Sequence, residues 1–482
     1  MILTLSAALL GAQLARTPPT TSIALDACRI RNTSGARSIA ARCGHFTVPE
    51  NPDAPDGRQI ELFVAVVPAL DIHPLPDALT VLAGGPGAAA TEFYVDYASA
   101  FDRIHRKRDI VLVDQRGTGA SHRLDCPETA ADLDAGPDDV RSAAQRCVAA
   151  LDADLRYYTT SIAVRDLDAV RAALGYAQLD LYGASYGTRV ALHYARRYPD
   201  RTRTLMLDGV LPADIALGPE IALDAQHALE NVFARCDADA ACAGHFPELR
   251  SRFTQLRTRL EATPLSVTLA DPQTAEPVET RFGDAELDAA LRLLSYSTDT
   301  IALLPLLIDR AAGGEVAPLA AQALMVARTL GDTLSEGMHN SIVCAEDVPF
   351  FAIDDAQRKA LEGTYLGATQ VDGLVAICEA WPRGVIDPDF KTPVATQTPA
   401  LLLSGDADPV TPPRDAERAL ATLPRGRQAV AAGQGHGIAI LGCVPQLLAQ
   451  FVEVASAEGL DLSCVSRLGP APFFTSFNGP AP

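Results

Sequence analysis

The sequence predicts an α/β fold: a mostly parallel sheet with helices on both faces and a helical lid inserted between its strands. Three observations predict it. Short, near-continuously apolar runs alternate with runs of helical spacing, the pattern of strands buried on both sides. One such run, Leu179-Asp-Leu-Tyr182, passes through Gly183-Ala184-Ser185-Tyr186-Gly187 straight into a helix-like run, Val190-Ala-Leu-His-Tyr-Ala-Arg196. From about residue 211 to 334 the strand signals give way to a helical, acidic stretch, the natural place for a lid.

The elements follow in order. Residues 1–20 form a signal-like segment. The first 15 carry no charge and are rich in Leu, Ala and Ile, a run too short for the ~20 residues of a bilayer span. Small residues near Ala12 and Ala15 suit a cleavage site, although no Lys or Arg precedes Arg16. The first part of the core is expected over 40–212. Residues 60–68 read as an early strand, and 79–83 and 109–114 as short strands ending in Gly-rich turns. Residues 161–174 place Ile162, Leu167, Val170 and Leu174 at helical spacing and stop at Gly175, a natural C-cap. The strand before Ser185 and its helix come next, then a strand at 204–210. The lid is expected over 213–335, with Ala- and Leu-rich helices at 285–294 and 301–311. The core resumes over 336–467, with strands at 399–404 and 428–431. A Pro-rich tail, 468–482, reads as peripheral.

The 482 residues suffice for one large domain with an insertion. A net charge of −20 repels phosphate backbones and anionic lipid, which argues against nucleic acid and stable membrane association. The basic knot at 103–108 reads as solvated surface. Ten cysteines occur, with no C-x-x-C, so neither zinc nor a redox motif is indicated. Many connectivities are formally possible. The sequential set 28–43, 126–147, 236–242, 344–378 and 443–464 is preferred because short loops close most readily. Disulfides imply an oxidising compartment, secreted or periplasmic; ten reduced, buried cysteines in a cytosolic enzyme are the alternative.

Gly183-Ala-Ser-Tyr-Gly187 is a nucleophile elbow in a strand–turn–helix setting. The turn is tight enough to strain Ser185, and a Cβ at Gly183 or Gly187 would strike a neighbouring element. A serine hydroxyl needs a general base. Among the nine histidines His436 stands out, in the loop Gly433-Gln-Gly-His-Gly437 after the last strand. The base needs a carboxylate to fix its tautomer. Gly405-Asp-Ala-Asp-Pro-Val-Thr-Pro412 offers Asp408, with Asp406 read as turn-stabilising, and gives the chain order Ser185, Asp408, His436. An oxyanion hole is expected from the N–H of Tyr186 and a donor in Ala83-Gly-Gly-Pro-Gly87, where Gly85 is preferred because Pro86 has no N–H.

Together these motifs resemble the α/β-hydrolase superfamily, and within it the prolyl-aminopeptidase and tripeptidyl-aminopeptidase group of serine exopeptidases. The marks are Gly84-Gly-Pro-Gly87, Asp114-Gln-Arg-Gly-Thr-Gly-Ala-Ser121, Gly183-Ala-Ser-Tyr-Gly-Thr-Arg189 and Gly405-Asp-Ala-Asp-Pro-Val-Thr-Pro412. The stretch from Asp114 is the most discriminating. The match covers roughly residues 43 to 464. Cytosolic prolyl aminopeptidases start the oxyanion loop with histidine, where this chain has Ala83. With the cysteines and the long insertion, that moves the resemblance toward the secreted tripeptidyl-aminopeptidase branch. The resemblance implies an α/β-hydrolase fold and release of residues or short peptides from free N-termini of peptide substrates through an acyl-enzyme. It implies no metal and no cofactor. A carboxylesterase with the same triad is the alternative. The resemblance also implies lid carboxylates that hold the substrate's α-ammonium. Glu346 and Asp347, braced by Cys344, are the expected pair, with Glu220 and Glu230 as weaker candidates. Arg116 reads as structural, Asp166 as a structural partner and Trp381 as packing.

Overall fold

A strand that is apolar on both sides must be covered on both sides, and the chain is arranged around that requirement. The structure, a computed structural model, describes residues 22–127, 136–271 and 274–480; the signal-like segment lies outside the described residues. An antiparallel meander opens it: β1 (Asp26–Arg31), β2 (Ser38–Pro49) and β3 (Gln59–Val67). Then come β4 (Ala78–Leu82), β5 (Ile110–Val113), β6 (Leu179–Ala184) and β7 (Thr202–Asp208). A separate hairpin follows, β8 (Leu265–Ala270) and β9 (Pro277–Phe282). β10 (Ala400–Gly405) and β11 (Gly426–Ala431) complete the main sheet. Its order is β1-β2-β3-β5-β4-β6-β7-β10-β11, parallel from β5 onward.

Every residue of β5, β6 and β10 is buried. Successive side chains point to opposite faces, so Leu181, Leu205 and Leu402 feed one core and Tyr182, Met206 and Leu403 the other. The helices Thr160–Leu174 and Tyr186–Arg197 cover the first face through Val164, Leu167, Val190 and Tyr194. The helices Ala90–Tyr97 and Val444–Val454 cover the second through Tyr94, Leu447 and Phe451.

The sequence reading placed strands at all the central positions and missed β1 and β2. These lie at the sheet edge, where burial is partial and the apolar run is broken by Arg29, Arg31 and Arg42. Two further expectations are corrected. The stretch between β7 and β10 is not wholly helical: it contains the β8–β9 hairpin, which buries little of β8 besides Val267 and Leu269 and so lacks a strong apolar signature. The tail is not peripheral. Phe473 is buried, Arg235 stacks over its ring at 4.5 Å, and the Phe474 N–H donates to the Ala302 carbonyl at 3.0 Å. The inserted segment has its own apolar cluster, with Leu229, Phe233, Phe253, Leu291 and Leu307 at its heart. The helix Glu336–Glu346 returns to the sheet through Met338 and Ile342, beside Trp381, whose Nε1 donates to Ser341 Oγ at 3.1 Å.

Five disulfides join Cys28–Cys43, Cys126–Cys147, Cys236–Cys242, Cys344–Cys378 and Cys443–Cys464. Cys344–Cys378 closes the longest loop, a separation of 34 residues. Replacing both by Ser is expected to lower stability by about 2–4 kcal/mol. The check is the urea unfolding midpoint of the double variant against the parent, and an unchanged midpoint would refute it.

Candidate active site

β6 must become a helix within one residue. Ser185 makes the turn at φ 55° and ψ −124°, in a left-handed region that L-residues rarely occupy. The glycines permit it. A Cβ on Gly183 would lie 2.3 Å from the Gly187 carbonyl oxygen, and one on Gly187 would lie 2.2 Å from the Leu82 oxygen. The Ser185 N–H donates to the Asp208 carbonyl at 2.8 Å, so the turn is fastened to β7. On its other side stands the loop after β4. A Cβ at Gly84 would sit 3.0 Å from Ser185 Cβ and 3.7 Å from its Oγ. Gly85 follows at φ 109°. Tyr186 is the first residue of its helix, where an N–H has no intrahelical acceptor.

His436 and Asp408 come together. Imidazole Nδ1 lies 2.8 Å from Asp408 Oδ2. The other oxygen, Oδ1, accepts the N–H groups of Val410 and Thr411 at 2.9 Å each. Thr411 Oγ1 donates to Oδ2 at 2.8 Å and lies 3.1 Å from Nδ1. Burial favours protonating Asp408, but the charge and hydrogen bond of His436 outweigh it, so the carboxyl is held below its usual range. Burial pushes the imidazole down, and the Asp408 charge more than reverses that, leaving His436 raised. Asp406, the rival, instead accepts the Gly433 N–H at 2.5 Å and shapes the loop.

The imidazole lies over Gly209, where a Cβ would meet Cε1 at 2.8 Å and Nδ1 at 3.1 Å. Gly209 follows the residue that accepts the Ser185 N–H, which brings serine and imidazole to the same end of β7. No hydrogen bond joins Ser185 Oγ to His436 in this structure; the two are brought to one place through Asp208 and Gly209.

Sequence reasoning missed several supporting residues. Asp208, taken for part of a strand, is buried and accepts from Ile438 N and Ala439 N at 2.9 Å each and from Tyr182 OH at 2.9 Å. It clamps the chain just past His436. Tyr296, from the inserted segment, accepts the His436 N–H at its carbonyl at 2.7 Å and sets its ring edge-on to the imidazole at 5.1 Å. Nothing in spacing or composition marked either residue.

The expected ammonium readers are corrected. Glu346 and Asp347 have no exposed surface, and neither does Arg189 between them. Asp347 takes Arg189 in a two-pronged pair at 2.8 and 3.1 Å and also accepts the Leu217 N–H at 2.8 Å. Glu346 lies 3.6 Å from Arg189 and accepts Thr160 N at 2.7 Å and Oγ1 at 2.9 Å. Thr160 Oγ1 in turn contacts Tyr186 OH at 2.6 Å. Burial raises Glu346 to about 7, against the pull of Arg189. Both acids brace the underside of the turn at Ser185. Glu230 is taken by Arg250 and by Gln226 at 2.9 Å. Glu220 alone of the four is exposed, with Gln357 donating to it at 3.2 Å. Arg116 is fully buried on Asp166, at 2.7 and 2.9 Å, and ties the loop after β5 to the core.

Residues 77–442 match the family model of the alpha/beta hydrolase fold. The chain belongs to that family. Serine protease Hip1 of Mycobacterium tuberculosis (strain ATCC 25618 / H37Rv) is 26% identical over 470 residues, covering 88% of this α/β-hydrolase and 87% of that protein. Tripeptidyl aminopeptidase of Streptomyces lividans is 23% identical over 473 residues, covering 89% and 85%. Among solved structures, a proline iminopeptidase from Mycobacterium smegmatis is 18% identical, with a TM-score of 0.38, covering 86% of this chain and 98% of that one. This α/β-hydrolase is a serine hydrolase.

Two outcomes are expected of this geometry. Gly209→Ala drives a methyl group into the imidazole, so hydrolysis of a p-nitrophenyl ester should fall about 100-fold with an unchanged far-ultraviolet spectrum; full activity would refute the placement. With His436 as the base of a hydrolytic reaction, the imidazole must be neutral to accept a proton, so kcat/KM should rise with pH through a midpoint above the ordinary histidine value of 6.5. Asp408→Asn removes the charge that raises His436. Its midpoint should shift to lower pH and its kcat should drop about 10⁴-fold, as read from pH–rate profiles of both proteins.

Proposed function

We propose that the protein is a serine exopeptidase that releases residues or short peptides from the free N-terminus of peptide substrates. The observation that carries this reading is the strained Ser185 beside the His436–Asp408 hydrogen bond. Ser185 Oγ attacks the scissile carbonyl and His436 takes its proton. The developing oxyanion is received by the N–H groups of Gly85 and Tyr186. The acyl-enzyme forms as the leaving amine departs with the proton from His436, and water enters by the same base to release the acyl product.

The names of two relatives, a serine protease and a tripeptidyl aminopeptidase, support peptides as the substrate. With Glu346 and Asp347 enclosed, Glu220 remains as the anchor for the substrate ammonium. It is exposed at the start of the inserted helix Ile221–Ala238. The segment 213–335 serves as the lid over Ser185, and it already supplies Tyr296 to His436. Five disulfides support an oxidising compartment, extracellular or periplasmic. Among the described residues no helix is long and apolar enough to cross a membrane.

The burial of the two expected ammonium readers favours one rival, a carboxylesterase using the same three residues. The test compares Ala- and Pro-starting peptide p-nitroanilides, N-terminus free or acetylated, with p-nitrophenyl esters. Acetylation is expected to reduce kcat/KM at least about tenfold, the loss of one charge-assisted contact. Ester turnover without peptide cleavage would give the site to the esterase. Fluorophosphonate labelling should vanish in Ser185→Ala.

A further inference from the structure

An arginine of the inserted segment, one side chain removed from the His436 imidazole, has no carboxylate partner among the described residues. Arg292 lies on the helix Asp284–Leu294, one turn before Tyr296. Its Nη2 donates to Tyr296 OH at 3.1 Å, and its guanidinium carbon is 5.8 Å from the centre of that ring. The same ring meets the His436 imidazole at 5.1 Å, 69° from parallel. The guanidinium therefore hangs on the residue that abuts the base. Its positive charge opposes protonation of both imidazoles, His436 and His339, although the Asp408 charge leaves His436 raised overall. His339 Nδ1 is 3.1 Å from the Pro86 carbonyl, in the loop that carries Gly85.

Arg292 Nε is buried with no hydrogen-bond partner, and no carboxylate pairs with the side chain among the described residues. The nearest candidate on its own helix is Asp288, one turn earlier. Arg257 holds that acid at 2.9 and 3.2 Å. Tyr365 OH is likewise buried and unpartnered. Buried N–H and O–H groups left unsatisfied are unfavourable, and a guanidinium fork matches a carboxylate in geometry and sign.

We propose that Arg292 binds a carboxylate of the substrate, so that the preferred substrates carry an acidic group close to the scissile bond. The inference rests on Ser185 and His436 being the reacting pair. It has a kinetic consequence. A bare cation beside His436 opposes formation of the imidazolium during proton transfer, whereas a carboxylate bound to it cancels that opposition. The correct substrate therefore gains in kcat as well as in KM. The carboxylate can come from an acidic side chain on the acyl side or from a free C-terminus on the leaving side.

Three substrate pairs test this. Ala-Ala-Glu p-nitroanilide against the Gln peptide probes the acyl side. Tetra-alanine with a free against an amidated C-terminus probes the leaving side. The p-nitrophenyl monoester of adipic acid against p-nitrophenyl heptanoate probes the same chemistry without a peptide bond. In the wild-type protein the acid member of at least one pair should be favoured about 10- to 100-fold in kcat/KM, part of it in kcat. Arg292→Gln should bring that ratio close to one, and Arg292→Lys should retain part of it. The ratio is taken within each protein, so a general loss of activity cancels; where the Gln variant does not fold, a several-fold fall in the Lys variant decides. No acid preference in any pair, or a preference that survives Arg292→Gln, overturns the proposal. Turnover that persists in Ser185→Ala would instead condemn the reading of the reacting pair.

Discussion

The architecture depends on one residue held where it does not want to be. A non-glycine residue at φ 55° costs on the order of 1–3 kcal/mol, so everything around Ser185 has to over-determine its conformation. β6 lies between β4 and β7 in parallel register up to Gly183 and Ala184, which fixes where the strand ends. The Asp208 carbonyl takes the Ser185 N–H, and Thr188 Oγ1 closes back on the Ser185 carbonyl at 2.6 Å. Beneath, the Tyr186 phenol is seized by Thr160 and Gln115, and Thr160 by Glu346. The turn has no room to relax into an ordinary conformation.

The same strand end couples the two halves of the site. The Asp208 backbone holds the serine turn while its side chain holds the two residues after Gly437. Movement of the histidine loop is therefore felt at the serine turn through one residue. Gly209 completes the arrangement by having no side chain where the imidazole must lie. Asp408 stays ionised in full burial because its two oxygens receive two N–H groups, a hydroxyl and the imidazole. A carboxylate so satisfied can stabilise the imidazolium without moving.

Much of this was legible in the sequence because it is local. A strand, a glycine-bracketed serine and a helix occupy 18 consecutive residues, from Leu179 to Arg196, and the acid and histidine loops each announce themselves by glycine and proline after an apolar run. The failures are non-local. Glu346 and Asp347 follow a cysteine at the return from the insertion and look like lid acids. What buries them is Arg189, on the helix after Ser185, and no spacing links the two segments. Asp208 looked like a strand residue because its partners, at 438 and 439, lie far along the chain. The β8–β9 hairpin went unseen because it covers only one face of a small helical unit and needs few apolar residues to do so.

Net charge is equally silent about the site. The chain carries 60 acids against 40 bases, so an acidic cleft suited to an ammonium group would be the natural guess. Yet the acids around this site are consumed one by one. Arg189 takes Asp347 and neighbours Glu346, Arg257 takes Asp288, and Arg414 takes Asp224. Each pairing removes an acid from the surface that substrate can meet, leaving Glu220 exposed and Arg292 without a carboxylate partner among the described residues. Local electrostatics follows from which charges are already partnered, not from how many the chain contains. The core holds Ser185, Asp408 and His436 at one edge of the sheet, and the inserted segment, with a separate hydrophobic cluster, carries Arg292 on its own helix.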